Sequence, residues 1–393
     1  MTTPAALAQE APEATHAIKV MVVDDSVMVR GIVVKWLSEE KGISVVATHS
    51  NGRLAADDIQ KTQPDVVILD LEMPGMDGLT ALPLILERKP DIAVLVASAL
   101  TRRGAEVSLK ALTLGAADYL PKPDAGKGIG AAEEFRRELT LKVRSLGQRQ
   151  RNRALPRPPV GQPAPQPAAG KAAPAPSAPA TPALARAKAA EKLRSYSSTS
   201  PGIVAIGSST GGPQALTQLF TDIGPVLGNV PVVIVQHMPA TFTAILSEHI
   251  ARAAGRPARE GTDGEALKAG HIYVAPGGFH MVLEKSGKDV VIRIDDSPPV
   301  NFCKPAVDPL FRSVADIYGS GTLAMVLTGM GSDGANGARA ISAVGGSVIA
   351  QDEETSVVWG MPGAVVAAGA CADILPIGDM GRKVSRILTG GRA

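Results

Sequence analysis

IVAIGSSTGGPQAL, residues 203–216, decides how the second half of this 393-residue chain folds. Its apolar opening, Ile203 to Ile206, reads as a buried strand. It breaks into Gly207-Ser208-Ser209-Thr210-Gly211-Gly212, and Pro213 suits the first turn of a following helix. A strand-to-helix turn of this kind gathers small side chains and backbone N–H groups at the positive end of a helix. Three hydroxyls there offer a nucleophile, and the amides offer support for a developing oxyanion. A phosphate-binding glycine loop or a plain tight turn fits the same residues.

Downstream, VPVVIVQH (residues 230–237) reads as a second buried strand, followed by a helix over 241–253. Residues 270–296 break the alternation: two alternating runs flank Ser286-Gly287, which predicts an antiparallel hairpin. A helix near 307–318, a strand TLAMVLTG (322–329), a helix near 335–343, a strand SVIAQD (347–352) and a helix after Met361-Pro362 complete the half. Ser209, His237 and Asp333 each fall just beyond the carboxyl end of a different predicted parallel strand. The sheet can therefore bring a serine nucleophile, a histidine base and an orienting carboxylate together from distant positions. Gly207-x-Ser209-x-Gly211 matches the nucleophile-elbow pattern literally, but the chain order Ser, His, Asp excludes the α/β-hydrolase assignment. Among the other histidines, His16, His49 and His249 read as solvated or structural. His271 and His280 flank APGG and stand as candidate cleft residues, without the i, i+4 spacing of a helical zinc site.

Upstream, strands at 18–23, 44–49, 64–71, 92–98 and 117–123 alternate with amphipathic stretches such as 26–40. That rhythm predicts a doubly wound parallel sheet. Asp24 and Asp25 end its first strand, Asp70 its third and Ser98 its fourth, and Lys122 lies in its fifth. Open α/β sheets build their sites at this edge. Three converging carboxylates repel one another unless a cation sits among them, and an all-oxygen set suits Mg2+. One aspartate could then accept a phosphoryl group, with Lys122 and the metal neutralising its oxygens.

The lysine and arginine count nearly balances the acidic one, leaving a formal charge of +2 and arguing against nucleic acid or an anionic membrane as main partner. Only Cys303 and Cys371 carry thiols, so no disulfide framework or thiolate metal site is indicated and each reads as a free structural cysteine. The start of the chain lacks a basic, apolar signal pattern, and no run reaches the roughly 20 apolar residues of a membrane helix. A soluble, cytoplasmic protein is expected. Ten of the 31 prolines fall within 156–182, interleaved with alanine, which predicts a semi-extended linker beyond a charged helical stretch at 133–151. The expected organisation is a disordered tail (1–17), a first α/β domain (18–140), a linker (141–200) and a catalytic α/β domain (201–393).

VDDS (23–26), LDLEMPGMDG (69–78) and PKP (121–123) resemble the receiver domain of two-component response regulators. The resemblance implies a flavodoxin-like fold with Asp70 as phosphoacceptor and Asp24 and Asp25 holding Mg2+. Lys122 then senses the phosphate, Ser98 is the switch hydroxyl and Tyr119 the switch aromatic. IGSSTGG (206–212), QHMP (236–239), YVAPGG-H (273–280), LTGMGSDGA (327–335) and GMPGA (360–364) look like the catalytic domain of the chemotaxis protein-glutamate methylesterases. This second resemblance implies Ser209 as nucleophile, His237 as general base and Asp333 as its orienting partner. The Met330 N–H joins the oxyanion hole and Thr210 supports the nucleophile. Ser208 stands where the family has alanine, a rival hydroxyl. The implied reaction is hydrolysis of glutamate methyl esters on chemoreceptors, releasing methanol, with deamidation of receptor glutamines by the same attack. It needs no cofactor for the ester chemistry. The implied partners are the receptors and a chemotaxis histidine kinase, with no nucleic acid and no membrane insertion, and the chain is expected to be a monomer. A transcription-factor output would need a helix-turn-helix and a basic face, and a nucleotide-binding module would need G-x-G-x-x-G or G-x-x-x-x-G-K-S/T. The second half offers none of these.

Overall fold

The computed structural model describes residues 17–122, 128–154 and 193–391. The expectations for the tail and for the proline-rich stretch lie outside these residues. In the first half, β1 (Ile18–Val23), β2 (Ile43–His49), β3 (Val66–Asp70), β4 (Ala93–Ala99) and β5 (Asp118–Lys122) form one parallel sheet of order β2-β1-β3-β4-β5. β3 is buried at every position, as a strand sandwiched between helical layers must be. The crossovers are α1 (Val27–Ser38), α2 (Gly52–Thr62), α3 (Gly78–Arg88) and α4 (Arg102–Thr113). Local capping starts all four: Ser26 accepts from Val29 N–H, Asn51 from Leu54 N–H, Asp77 from Thr80 N–H and Thr101 from Gly104 N–H. α5 (Gly128–Ala154) is one helix running through the charged stretch.

The second half is a seven-stranded parallel sheet. In chain order its strands are β6 (Ile203–Ser208), β7 (Val232–Gln236), β8 (Ala258–Glu260), β9 (Ile272–Val274), then β12 (Thr322–Val326), β13 (Ser347–Gln351) and β14 (Asp373–Leu375). They lie in the order β14-β13-β12-β6-β7-β9-β8. A separate antiparallel pair joins β10 (His280–Ser286) to β11 (Asp289–Asp295). Its turn is Gly287-Lys288, one residue later than the alternating runs predict, with Gly287 at φ +62°. The run 270–296 is also divided differently: Ile272–Val274 belongs to the main sheet, and the hairpin begins only at His280. The helices are α6 (Gly212–Ile223), α7 (Ala240–Ala254), α8 (Val307–Tyr318), α9 (Ala335–Ala343), α10 (Gly360–Ala367) and α11 (Ile377–Leu388).

The pleat of β6 separates two cores. Val204 and Ile206 pack with Leu216, Leu219 and Phe242, whereas Ile203 and Ala205 pack with Val307, Phe311 and Val314. The first of these cores continues into the receiver-like half through Leu109, Leu112 and Tyr119. Along that seam the Tyr119 and Phe242 rings stack at 4.7 Å, and Gln214 Nε2 donates to the carbonyls of Leu112 and Ala116, the latter at 2.6 Å. Arg102 pairs with Glu248 at 3.0 Å. A cleft of about 300 Å³ opens along the seam, lined in part by Leu109, Leu112, Gln214, Leu246 and His249. Among the described residues, no helix is long and apolar enough to cross a membrane.

Candidate active site and phosphoacceptor pocket

Parallel pairing of β6 and β7 aligns Ser208 with Gln236, so the next residue of each strand, Ser209 and His237, emerges at the same edge. His237 N–H donates to Ser208 O at 3.1 Å and fixes that register past the strand ends. Gly211, at φ +75°, turns the chain into α6 as only glycine does without strain. Gly329, on the neighbouring β12 loop, comes so close that an added Cβ would lie 2.8 Å from Ser209 Cβ. The two serines differ in engagement. Ser208 is fully buried and its hydroxyl donates to Gln236 Oε1 at 2.7 Å. Ser209 is half-buried, anchored by its N–H to Thr328 O at 3.0 Å, and its hydroxyl has no partner among the described residues.

His237 Nε2 lies 2.9 Å from Asp333 Oδ2. Asp333 is buried and accepts from Val307 N–H at 2.6 Å, Asn301 Nδ2 at 3.0 Å and Asp308 N–H at 3.2 Å. The first turn of α8 thus aims its free amides at this carboxylate. Behind it, buried Asp308 accepts from Gly337 N–H at 2.7 Å and Asn301 Nδ2 at 3.2 Å. Burial opposes charge on both partners. Their mutual hydrogen bond, with the surrounding donors, outweighs it: Asp333 is held below the usual carboxylate range, and His237 is raised to about 10 with help from Cys303. The Cys303 contact is a correction to the sequence reading. Its Sγ lies 3.5 Å from His237 Nδ1, so this cysteine is not merely structural. Ser209 Oγ makes no hydrogen bond to that nitrogen.

Met330 is half-buried beside the cleft, and its N–H has no acceptor among the described residues. Its Sδ receives Ser145 Oγ of α5 at 3.4 Å, and Arg137 of the same helix lies 4.3 Å from the Phe302 ring. Thr210 is buried, its carbonyl accepting from Thr328 Oγ1 at 2.8 Å. His280 is fully buried between Ala306 N–H and Pro298 O, and His271 stacks on Tyr273, so neither joins the site. Sequence reasoning missed Cys303, Asn301 and Asp308. Nothing in the spacing of NFCKP signals that it folds over the imidazole, which depends on left-handed Asn301 and Phe302 (φ 52° and 64°).

At the carboxyl edge of the first sheet, Asp24, Asp25 and Asp70 offer oxygens within 4.8 Å of one another. Asp24 and Asp70 are buried, and Lys122 Nζ lies 2.8 Å from an oxygen of each. Burial and Asp24 raise the Asp70 pKa against the lowering effect of Lys122, while the two carboxylates, against burial, raise that of Lys122. One cation facing two buried carboxylates leaves unneutralised negative charge, and an all-oxygen set of this kind fits Mg2+. Ser98 Oγ sits 2.5 Å from Ser108 Oγ rather than on Asp70. Tyr119 is buried against Phe242, with its carbonyl bonded to Lys142 Nζ at 2.6 Å.

Residues 204–384 match the family model described as CheB methylesterase, and residues 20–132 match that of the response regulator receiver domain. The chain is 53% identical over 376 residues to the protein-glutamate methylesterase/protein-glutamine glutaminase of group 2 operon of Rhodopseudomonas palustris, covering 96% of this chain and 95% of that protein. It is 51% identical over 370 residues to protein-glutamate methylesterase/protein-glutamine glutaminase 1 of Paramagnetospirillum magneticum, covering 93% and 95%. Among solved structures, the catalytic domain of Thermotoga maritima CheB methylesterase is similar at 41% identity, with 48% of this chain and 100% of that one covered and a TM-score of 0.46.

Proposed function

The chain belongs to the CheB methylesterase family with a response regulator receiver domain in front, and from that premise we propose how its residues perform the chemistry. It is a phosphorylation-regulated protein-glutamate methylesterase and protein-glutamine glutaminase of chemotaxis. Its substrates are chemoreceptors and its phosphodonor is a histidine kinase. The working compartment is the cytoplasm, where receptor signalling helices and kinase are accessible. In this reading residues 201–393 carry the esterase and the receiver starts at 18, its last helix, α5, running past the expected end at 140 because Val143 and Leu146 pack in the core of the first sheet.

Ser209 Oγ attacks the γ-carbonyl of the receptor glutamyl ester, and the proton passes to His237 Nδ1, because Nε2 is committed to Asp333. Asp333 stabilises the imidazolium, and the Met330 N–H receives the developing oxyanion. His237 then protonates the departing methanol, and water hydrolyses the acyl-enzyme by the same route. With a glutamine carboxamide the leaving group is ammonia. In the receiver, Asp24 and Asp25 with Asp70 would hold Mg2+, which supplies charge neutralisation during phosphoryl transfer. Asp70 is the acceptor, and Lys122 is poised to bind the phosphoryl oxygens. Phosphorylation raises activity by loosening the seam through which α4, β5 and α5 cover the esterase, with Ser98 and Tyr119 reporting the change.

The observation that carries the assignment is the Ser209 hydroxyl, without a partner among the described residues, beside the His237–Asp333 pair. Methanol release from methylated receptor membranes tests it. Ser209→Ala is expected to abolish release, whereas Ser208→Ala retains most of it; a dead Ser208→Ala enzyme with an active Ser209→Ala one overturns the choice of nucleophile.

A further inference from the structure

Cys303 closes a thiol–imidazole–carboxylate line that the esterase mechanism does not use. Its Sγ is 3.5 Å from His237 Nδ1, and the far side of that ring is held by Asp333 at 2.9 Å. The loop is fixed on both strands of a bridge, Val300 N–H to Cys303 O at 3.1 Å and Cys303 N–H to Val300 O at 2.9 Å. Among the described residues, the thiol also donates to Asn301 O, again at 3.5 Å. Cys303 is half-buried, and its neighbour Phe302 is 83% exposed, so the thiol lies at the mouth of the cleft. The charged groups around it leave the imidazole as its proton acceptor. Lys304 is committed to Asp296, Arg137 of α5 lies over the Phe302 ring, and Asp308 of α8 is engaged through Gly337 and Asn301. A base oriented by a carboxylate and aimed at a thiol is the arrangement that activates cysteine nucleophiles.

We propose that Cys303 is a second nucleophile in this cleft, activated by His237, and a site of covalent modification by hydroperoxides and other soft electrophiles. With a hydroperoxide, the sulfur attacks one peroxide oxygen, an S–O bond forms and the O–O bond breaks. The departing alkoxide takes the proton that His237 received from the thiol. Sulfur loses two electrons to give a sulfenic acid and the hydroperoxide gains them to give an alcohol. Two equivalents of added thiol reverse the step, giving a disulfide and water. A group added to Sγ occupies the space at Nδ1, so modification takes the base away from Ser209. This last effect rests on the reading of His237 as the esterase base; the reactivity of the thiol does not.

The second cysteine serves as an internal reference. Cys371 is buried, and burial with Asp373 nearby pushes its thiol up to about 12. The experiment alkylates the intact folded chain with iodoacetamide between pH 6 and 8 and follows each cysteine by peptide mass spectrometry. An unperturbed thiol of pKa about 8.5 loses roughly 80-fold in rate over that span. Cys303 is expected to lose less than about tenfold, His237→Gln to restore the steep dependence, and Cys371 to stay unlabelled until the chain unfolds. In parallel, hydrogen peroxide should lower methanol release reversibly by dithiothreitol, with a sulfenic-acid probe on Cys303. The ratio of treated to untreated activity should return to one in Cys303→Ser. A steep dependence for Cys303 in the unmutated chain, or labelling no faster than at Cys371, overturns the proposal whether or not the histidine variant folds. Labelled Cys303 with undiminished methanol release upholds the activated thiol and overturns His237 as the esterase base.

Discussion

His237 has a carboxylate 2.9 Å from one ring nitrogen and a thiol 3.5 Å from the other. Burial disfavours its charge, yet those two partners raise its pKa to about 10, so in this covered arrangement the imidazole is mostly protonated at pH 7. The folded-state value exceeds the ordinary 6.5, so the stability this histidine adds is complete below 6.5 and is lost as the pH climbs through about 10. The same sign governs activity. Methanol release by the intact chain should rise with pH across that window. In Asp333→Asn the midpoint should move to lower pH, because a charge favouring the imidazolium is gone. Its plateau should fall by two to four orders of magnitude, roughly the effect of the equivalent change in the serine-protease triad. A pH-rate profile with an unmoved or alkaline-shifted midpoint would remove Asp333 from this role.

At the scale of elements, α6 ties the nucleophile loop to the receiver. The loop enters the helix at Gly211, and Gln214 one turn later donates to two carbonyls at the end of α4. Each such bond is worth about 1 kcal/mol net, and Leu112 O keeps Gly115 N–H at 3.1 Å when Gln214 is removed. Gln214→Ala should therefore raise basal methanol release without phosphodonor by roughly tenfold, since about 1.4 kcal/mol is a factor of ten. An unchanged basal rate would show that this contact does not hold the cover in place. Much of this architecture was legible in the sequence. Helices α8 and α9 fall on the predicted residues 307–318 and 335–343, because apolar periodicity is strong in both. The three-residue strands β8, β9 and β14 were not legible, since so short a run carries no period. The carboxyl-edge placement of Ser209, His237 and Asp333 came from strand reading alone. Asn301, Cys303 and Asp308 did not, because a loop with two left-handed residues carries them over the imidazole and no spacing rule anticipates such a path.

Across the whole molecule, two sheets share one apolar core, and the stack of Tyr119 on Phe242 lies within it. Phe242 is in α7, which starts three residues after His237, so Tyr119, the second residue of β5, packs on the helix that follows this histidine. On the other side, α5 reaches Met330 and Phe302 at the mouth of the cleft. The receiver therefore touches the esterase on both flanks of its site, and a change at Asp70 alters activity only if it favours the open arrangement over this one. A phosphoryl group adds negative charge to a pocket already holding two buried carboxylates and one lysine, and Lys122 must redistribute its contacts with Asp24 and Asp70 to accommodate it. The most direct measurement is the initial rate of methanol release by the full chain with a small-molecule phosphodonor and Mg2+, for the unmutated protein and for Asp70→Asn. The account predicts stimulation of the unmutated chain and a flat response from Asp70→Asn at its basal rate; equal stimulation of both would contradict it.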